Sequence, residues 1–186
     1  MIEVVKVDGR RAVGDRNRES ILEAAIHVLA AQPEAGMGEV AAAAGVGRAT
    51  VYRHFVSREE LIDALREHAR KEAHERFAAA RLDEGDPVDA LERMVRAMLA
   101  LGDRYRVIFP PEQHNERPKE LLLRPLGRLI VRAQAEGVID PQIPSAWVIA
   151  SLRALLRAAV DEIQARRLTR DAAAERIVRT LVRGVG

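Results

Sequence analysis

The fold of this chain is decided by residues 40–55, which read VAAAAGVGRATVYRHF. The alanine-rich start predicts a helix of about two turns, and Gly45 ends it. A second short helix is predicted from about Arg48 to His54 because the next apolar positions recur at helical spacing. Two short helices joined by a tight turn that contains glycine form a helix-turn-helix unit.

The sequence on either side of this unit predicts two more helices. From about Asp15 the apolar positions repeat at helical spacing, which predicts a first helix. Residues 1–14 carry two glycines and three basic residues without such a repeat, and we expect a flexible basic arm there. After the unit, Ser57 and Glu60 fit a capping box, which predicts a long fourth helix.

The remainder of the chain predicts only helices. Five further helical segments follow, separated by breaks that contain glycine or proline: 87–101, 103–109, 117–136 with Pro125 inside it, Ser145 to about 166 with Ser145 as the N-cap, and 169–184. We therefore predict an all-α fold of nine helices.

The composition excludes cysteine chemistry and favours an all-helical fold. The chain has 186 residues, no cysteine, and 48% hydrophobic but only 3% aromatic residues. The lack of cysteine excludes disulfides, thiolate metal ligands and cysteine nucleophiles. An aliphatic core favours close-packed helices over a β-sandwich. The sequence contains neither an apolar run of about 18 residues nor a signal-peptide pattern, which predicts a cytoplasmic protein with no membrane partner.

The helix-turn-helix stretch resembles a known family. Residues 40–55, with Arg58-Glu59-Glu60-Leu61 after them, are similar to the DNA-binding domain of the tetracycline-repressor (TetR) family. The resemblance implies a helix-turn-helix DNA-binding domain at 15–62 and a helical ligand-binding and dimerisation domain at 63–186, after the arm at 1–14. Gly47 stands where the family usually has serine or threonine, and Ala35 or Gly36 replaces the usual threonine cap. Both departures weaken helix caps and remove a potential phosphate contact.

The local charge also favours DNA. Between Val40 and Arg58 there are three arginines and one histidine but no acid, so this stretch can approach phosphates without repulsion. In a helix-turn-helix the second helix enters the major groove, and its first residues reach base edges. Each residue alone could equally be a packed or solvated side chain. The candidate DNA-binding residues are Arg48, Ala49, Thr50, Tyr52, Arg53, His54 and Arg58.

The resemblance implies a small-molecule site and a dimer face in the C-terminal domain. The ligand candidates are the methionines, aromatics and leucines of this domain: Phe77, Met94, Met98, Tyr105, Phe109, Leu122, Leu126 and Trp147. Apolar residues at helical spacing are more often ordinary core, so that interpretation stays open. The helix from Ser145 has a second apolar face made mostly of small residues, which predicts half of a four-helix interface in a homodimer. The dimer candidates are Ala150, Ala154, Ala158, Ile177 and Leu181.

These patterns predict a ligand-responsive transcriptional regulator, most simply a repressor that a small molecule releases from a palindromic operator in double-stranded DNA. A helical enzyme is the first alternative, but no nucleophile-base pair, phosphate-binding glycine loop or carboxylate pair supports it. A protein-interaction module with a degenerate DNA-binding unit is the second.

His68, Glu72 and Glu75 share two turns of one helix and could suggest a metal site, but the spacing places no further ligand beside them. We therefore expect neither a metal nor a cofactor.

Overall fold

The computed structural model describes the backbone of residues 4–105 and 120–184, and the side chains of residues 14–105 and 124–184. Across these ranges the regular secondary structure is helical throughout, which confirms the all-α prediction. The helices are α1 (Val4–Ala31), α2 (Met37–Ala43), α3 (Arg48–His54), α4 (Arg58–Ala79), α5 (Pro87–Tyr105), α6 (Glu120–Ala135), α7 (Ser145–Gln164) and α8 (Arg170–Arg183).

The described residues divide into two compact units. The N-terminal unit ends at Ala69 and contains α1, α2, α3 and the first half of α4. The C-terminal unit begins at Arg70 and contains the rest of α4 and α5 to α8. Helix α4 therefore supplies residues to both units. Among the described helices, none combines the length and the apolar character needed to cross a membrane.

The N-terminal unit is built around a small apolar core. Ile21 and Leu22 of α1, Val51 of α3 and Leu65 of α4 are all fully buried. The turn between α2 and α3 depends on Gly45, whose φ of 67° lies in the left-handed region that glycine adopts at little cost. The next amide, that of Val46, donates to the carbonyl oxygen of Ala41 at 3.0 Å. This closes the end of α2 and sends the chain directly into α3.

The C-terminal unit has its own core, formed where α5 packs against α6, α7 and α8. Its fully buried side chains include Leu91 and Leu99 of α5, Ile130 of α6 and Leu152 of α7. This core is aliphatic, as the composition predicts, because leucine, isoleucine, valine and alanine supply nearly all of its members.

The described residues contain eight helices where the sequence predicts nine. The prediction separates 87–101 from 103–109 at Gly102, but α5 continues through Gly102 to Tyr105; positions 106–109 lie outside the described residues. A Cβ atom on Gly102 would lie 3.1 Å from the Cγ2 atom of Val160 on α7. The glycine therefore permits close approach of α5 and α7 rather than ending a helix, since the packing outweighs its poor helix propensity of about 1 kcal/mol.

Two predicted helix starts also differ from the structure. Helix α1 begins at Val4 and not near Asp15, so residues 4–14 are continuous with the first helix. This stretch contains no proline, and its two glycines disfavour a helix without forbidding it. At α7 the N-cap is Pro144, and the Ser145 hydroxyl donates instead to Gln134 Oε1 at 3.0 Å. The N-cap predicted for the last helix is confirmed, because the Thr169 hydroxyl accepts from the amide of Ala172.

Candidate functional site

Helix α3 is held by its apolar side and presents its polar side to solvent. Its first turn is closed by Gly47, whose carbonyl oxygen accepts from the amides of Thr50 and Val51 at 2.8 and 3.3 Å. Val51 is fully buried, and Phe55, where the backbone becomes extended, is 1% exposed. These two apolar anchors set the rotation of α3 about its axis.

The predicted DNA-binding residues of α3 fall into two groups. Arg48, Ala49, Tyr52 and Arg53 are exposed, and Thr50 and His54 are half-buried. Tyr52 keeps 45% of its surface in solvent, which is high for an aromatic residue and leaves its hydroxyl free to meet a partner. The exposed members include two arginines on a helix of seven residues with no acid, so this side of α3 is a basic surface.

Arg48 lies in a shallow groove between α2 and α3. Gly36, Gly38 and Tyr52 line the same groove. A Cβ atom on Gly38 would lie 3.7 Å from Arg48 Nε, an ordinary van der Waals distance, so the arginine side chain extends along the start of α2. The sequence alone does not show that Arg48 lies against the start of α2, because this contact joins two helices.

His54 has a more internal position than the sequence suggests. Its Nε2 atom is buried and has no hydrogen-bond partner among the described residues. Its ring centroid lies 6.4 Å from that of Phe55, with the rings tilted by 48°. The imidazole therefore packs at the end of α3, and only its Nδ1 atom is a candidate for a phosphate contact.

Arg58 fastens the first turn of α4 to the loop between α1 and α2. Its Nη2 atom donates to the carbonyl oxygen of Pro33 at 2.6 Å, and its Nε atom donates to that of Ala35 at 3.3 Å. The predicted cap at Ser57 is confirmed, since its hydroxyl accepts from the amide of Glu60 at 3.2 Å. The Glu60 carboxylate accepts from the amide of Val56 instead of completing the capping box at Ser57. The guanidinium of Arg58, predicted to meet a phosphate, is thus used within the protein.

We expect Arg58→Ala and Arg58→Lys to destabilise the N-terminal unit by about 1–2 kcal/mol each, because both remove the paired bonds to the loop carbonyls. Urea denaturation followed by circular dichroism measures the change. Arg81→Ala is the control, since its exposed ion pair with Glu84 is worth about 0–1 kcal/mol. A full loss of DNA affinity in Arg58→Ala, with unchanged stability, would instead identify Arg58 as a phosphate ligand.

The predicted ligand-binding residues occupy three kinds of place in the C-terminal unit. Met94, Tyr105 and Leu126 are buried, and Phe77 and Met98 are half-buried against the same core. Trp147 is 67% exposed, so it lies on the surface and not in the interior. Phe109 and the side chain of Leu122 lie outside the described residues. The interpretation as ordinary core therefore fits Met94 and Leu126, which are completely enclosed.

A polar network at the edge of this core was missed from the sequence. The Tyr105 hydroxyl donates to Glu72 Oε2 at 2.5 Å, and Arg76 donates to Glu72 Oε1. Burial alone would raise the pKa of Glu72, but the bonds from Tyr105 and Arg76 and the nearby Arg104 hold that pKa below its ordinary value. Burial and the bond to Glu72 raise the pKa of Tyr105 to about 12. The network keeps Glu72 ionised beside apolar side chains.

The predicted dimer face is exposed on α7 but not on α8. Ala150, Ala154 and Ala158 are exposed, one helical turn apart, and follow the exposed Trp147 along α7. Ile177 is only 3% exposed and belongs to the core of its own chain, which corrects its assignment to a partner surface. Leu181 is half-buried against the same core. Periodicity shows that α8 has an apolar face, but α5 covers that face within the chain.

Comparisons with known proteins agree with this geometry. A family model described as "Bacterial regulatory proteins, tetR family" matches residues 21–65, which span the helix-turn-helix unit. The HTH-type transcriptional repressor LfrR of Mycolicibacterium smegmatis is 34% identical over 150 residues, covering 77% of each chain. The HTH-type transcriptional regulator NfxB of Pseudomonas aeruginosa is 28% identical over 136 residues, covering 69% of this chain and 72% of NfxB.

A solved structure extends the likeness to nearly the whole chain. The TetR-like transcriptional regulator LfrR from Mycobacterium smegmatis, crystallised in complex with proflavine, has a TM-score of 0.72 and 29% sequence identity. The alignment covers 92% of this chain and 98% of that chain. The similarity therefore includes the C-terminal unit as well as the helix-turn-helix unit.

Proposed function

Because this chain belongs to the tetracycline-repressor family of transcriptional regulators, we propose that it binds a palindromic operator as a homodimer in the cytoplasm and leaves it when a small molecule binds. It is a DNA-binding regulator and not an enzyme. The observation that carries the proposal is α3, a short helix anchored by Val51 and Phe55 whose exposed side bears Arg48, Tyr52 and Arg53.

The side chains of α3 suit both kinds of DNA contact. An arginine at the first position of a recognition helix can bind a guanine edge through two hydrogen bonds. Tyrosine hydroxyls and further arginines suit phosphate oxygens, which position the protein without reading sequence. We assign Arg48 to the base edges, Tyr52 and Arg53 to phosphates, and Ala49 and Thr50 to close contact with bases. In a two-fold dimer the second α3 would meet a half-site one helical turn away, which makes the operator palindromic.

The C-terminal unit would hold the effector. LfrR was crystallised in complex with proflavine, and the alignment covers 92% of this chain. The C-terminal unit of the present chain combines half-buried Phe77 and Met98 with Tyr105, whose hydroxyl is bonded to Glu72. Methionine and aromatic side chains adapt to flat apolar ligands. We propose a planar aromatic molecule as the effector class, bound beside these residues.

Helix α4 would couple the two activities, because its residues belong to both units. An effector that binds one conformation of the C-terminal unit more tightly would bias the position of α4 and, through Arg58 and its loop contacts, the DNA-binding unit. By linkage, operator DNA must weaken effector binding by the same factor, typically about 5–150-fold for a coupling of about 1–3 kcal/mol.

The test uses proflavine as the probe and the DNA upstream of the chain's own gene as the operator. In a mobility-shift titration the full chain should retard this DNA, and proflavine should weaken the complex by about 5–150-fold. The affinity of the chain for proflavine, followed by the fluorescence of the dye, should weaken by the same factor when the operator is bound, after correction for the dye that the same DNA takes up without protein. Unrelated DNA of equal length is the control. A chain that does not shift the DNA contradicts the operator assignment, and equal proflavine affinity with and without bound DNA contradicts the coupling.

A further inference from the structure

Three side chains in the N-terminal unit converge on one point away from α3. Glu19 and Glu23 lie one turn apart on α1, and His68 lies on α4. The Nδ1 atom of His68 is 3.5 Å from Glu19 Oε1, and its Nε2 atom is 3.4 Å from Glu23 Oε1. One donor atom from each of the three residues can be chosen so that all lie within 4.8 Å of one another.

The arrangement favours a bound cation on chemical grounds. A neutral imidazole has one N–H group and one lone pair, so one of its two nitrogens would direct a lone pair at a carboxylate. A metal ion at this point removes that repulsion, as a second proton on the ring also would, and metal titration distinguishes the two. The His68 side chain is only 13% exposed, which restricts its ring, whereas the side chains of Glu19 and Glu23 are 59% and 41% exposed, so solvent ions can reach them.

We propose that Glu19, Glu23 and His68 form a binding site for a divalent transition-metal ion of the Zn²⁺ class. One imidazole nitrogen and two carboxylate oxygens are a donor set that zinc accepts, with water at the fourth position. The imidazole disfavours Mg²⁺ and Ca²⁺, which prefer all-oxygen sites. Because the ligands come from α1 and α4, the ion would crosslink these two helices of the N-terminal unit.

The sequence pattern groups His68 with the carboxylates of its own helix, Glu72 and Glu75. Glu72 accepts hydrogen bonds from Arg76 and Tyr105. The Oε1 atom of Glu75 lies 4.0 Å from Lys71 Nζ. Glu19 and Glu23 are about 45–49 positions from His68 in sequence, and only the side-chain contacts between α1 and α4 reveal them. The expectation that no metal binds was drawn from residues of one helix.

Isothermal titration of ZnCl₂ into the metal-free full chain tests the site directly. We expect one Zn²⁺ per chain, insensitivity to excess Mg²⁺, and a higher melting temperature with Zn²⁺. His68→Ala and Glu23→Gln should each lower the affinity at least about tenfold, since loss of a ligand costs at least as much as loss of a supporting residue. Co²⁺ bound in place of Zn²⁺ should give visible absorption of a four-coordinate site.

His74→Ala is the matched control, because His74 is an exposed histidine on the same helix and outside the cluster. It should leave the Zn²⁺ affinity unchanged. The proposal is overturned if the wild-type chain takes up no Zn²⁺, or if Glu23→Gln, which changes an exposed carboxylate and leaves the buried core intact, binds it as tightly as wild type. The Zn²⁺ titration and the Co²⁺ absorption both report bound metal directly, so their outcome does not depend on operator binding.

Discussion

Replacing Arg48 and Tyr52 together with alanine is expected to weaken operator binding by at least about 30-fold. Each lost base or phosphate contact costs about 1–3 kcal/mol, and tenfold corresponds to about 1.4 kcal/mol. Both side chains are exposed on α3 in the free protein, so their loss should change the free energy of unfolding by less than about 0.5 kcal/mol. The large effect on DNA and the small effect on stability together distinguish a DNA contact from a packing role.

A mobility-shift titration measures the affinity, and urea denaturation of the same samples measures stability. Arg81→Ala removes an exposed arginine of the C-terminal unit and should bind DNA as wild type does, which controls for the loss of one positive charge. Equal affinity of the double variant and wild type would contradict the assignment of α3 as the recognition helix.

The single variants separate the two kinds of contact. If Arg48 reads a guanine, Arg48→Ala should relax the preference at one base position of a selected pool of operators. If Tyr52 meets a phosphate, Tyr52→Phe should weaken binding to all sequences alike. If Arg48→Ala instead weakens binding to all DNA sequences alike, Arg48 contacts a phosphate and does not read a base.

Local signals were sufficient to predict the helix-turn-helix unit. Gly45 ends α2, Val51 and Phe55 recur at the spacing of one helical face, and Ser57 caps the next helix. Each signal acts within a few residues, and all of them favour the same local structure. The bounds of α3 therefore match the prediction of Arg48 to His54.

Contacts between distant residues could not be predicted in the same way. Gly102 reads as a helix break until Val160 is placed against it. Arg58 reads as a free basic residue until the carbonyls of Pro33 and Ala35 are known to lie beside it. Periodicity identifies the residues that share a helix face, but not the element that covers the face, and this is why Ile177 was assigned to a partner and lies in the core.

Ala154→Arg is expected to convert the proposed dimer into a monomer. Ala154 lies in the middle of the exposed stripe of α7, between Ala150 and Ala158, with Trp147 at one end. Small side chains let two helices approach closely about a two-fold axis, whereas arginine adds bulk and a charge that its own copy repels. Light scattering at micromolar concentration should show the mass fall from two chains to one.

The same substitution should also weaken operator binding by about 10²–10⁴-fold, although residue 154 lies outside the DNA-binding unit. A dimer engages the second half-site with the effective concentration that the first one provides, and a monomer loses this advantage. Ala78→Arg, at an exposed alanine of α4, is the matched control and should preserve both the dimer and the affinity. A monomeric Ala154→Arg chain that still bound the full operator as tightly as wild type would show that the two half-sites are not read together. A wild-type chain that is itself monomeric would remove the dimer from the proposal altogether.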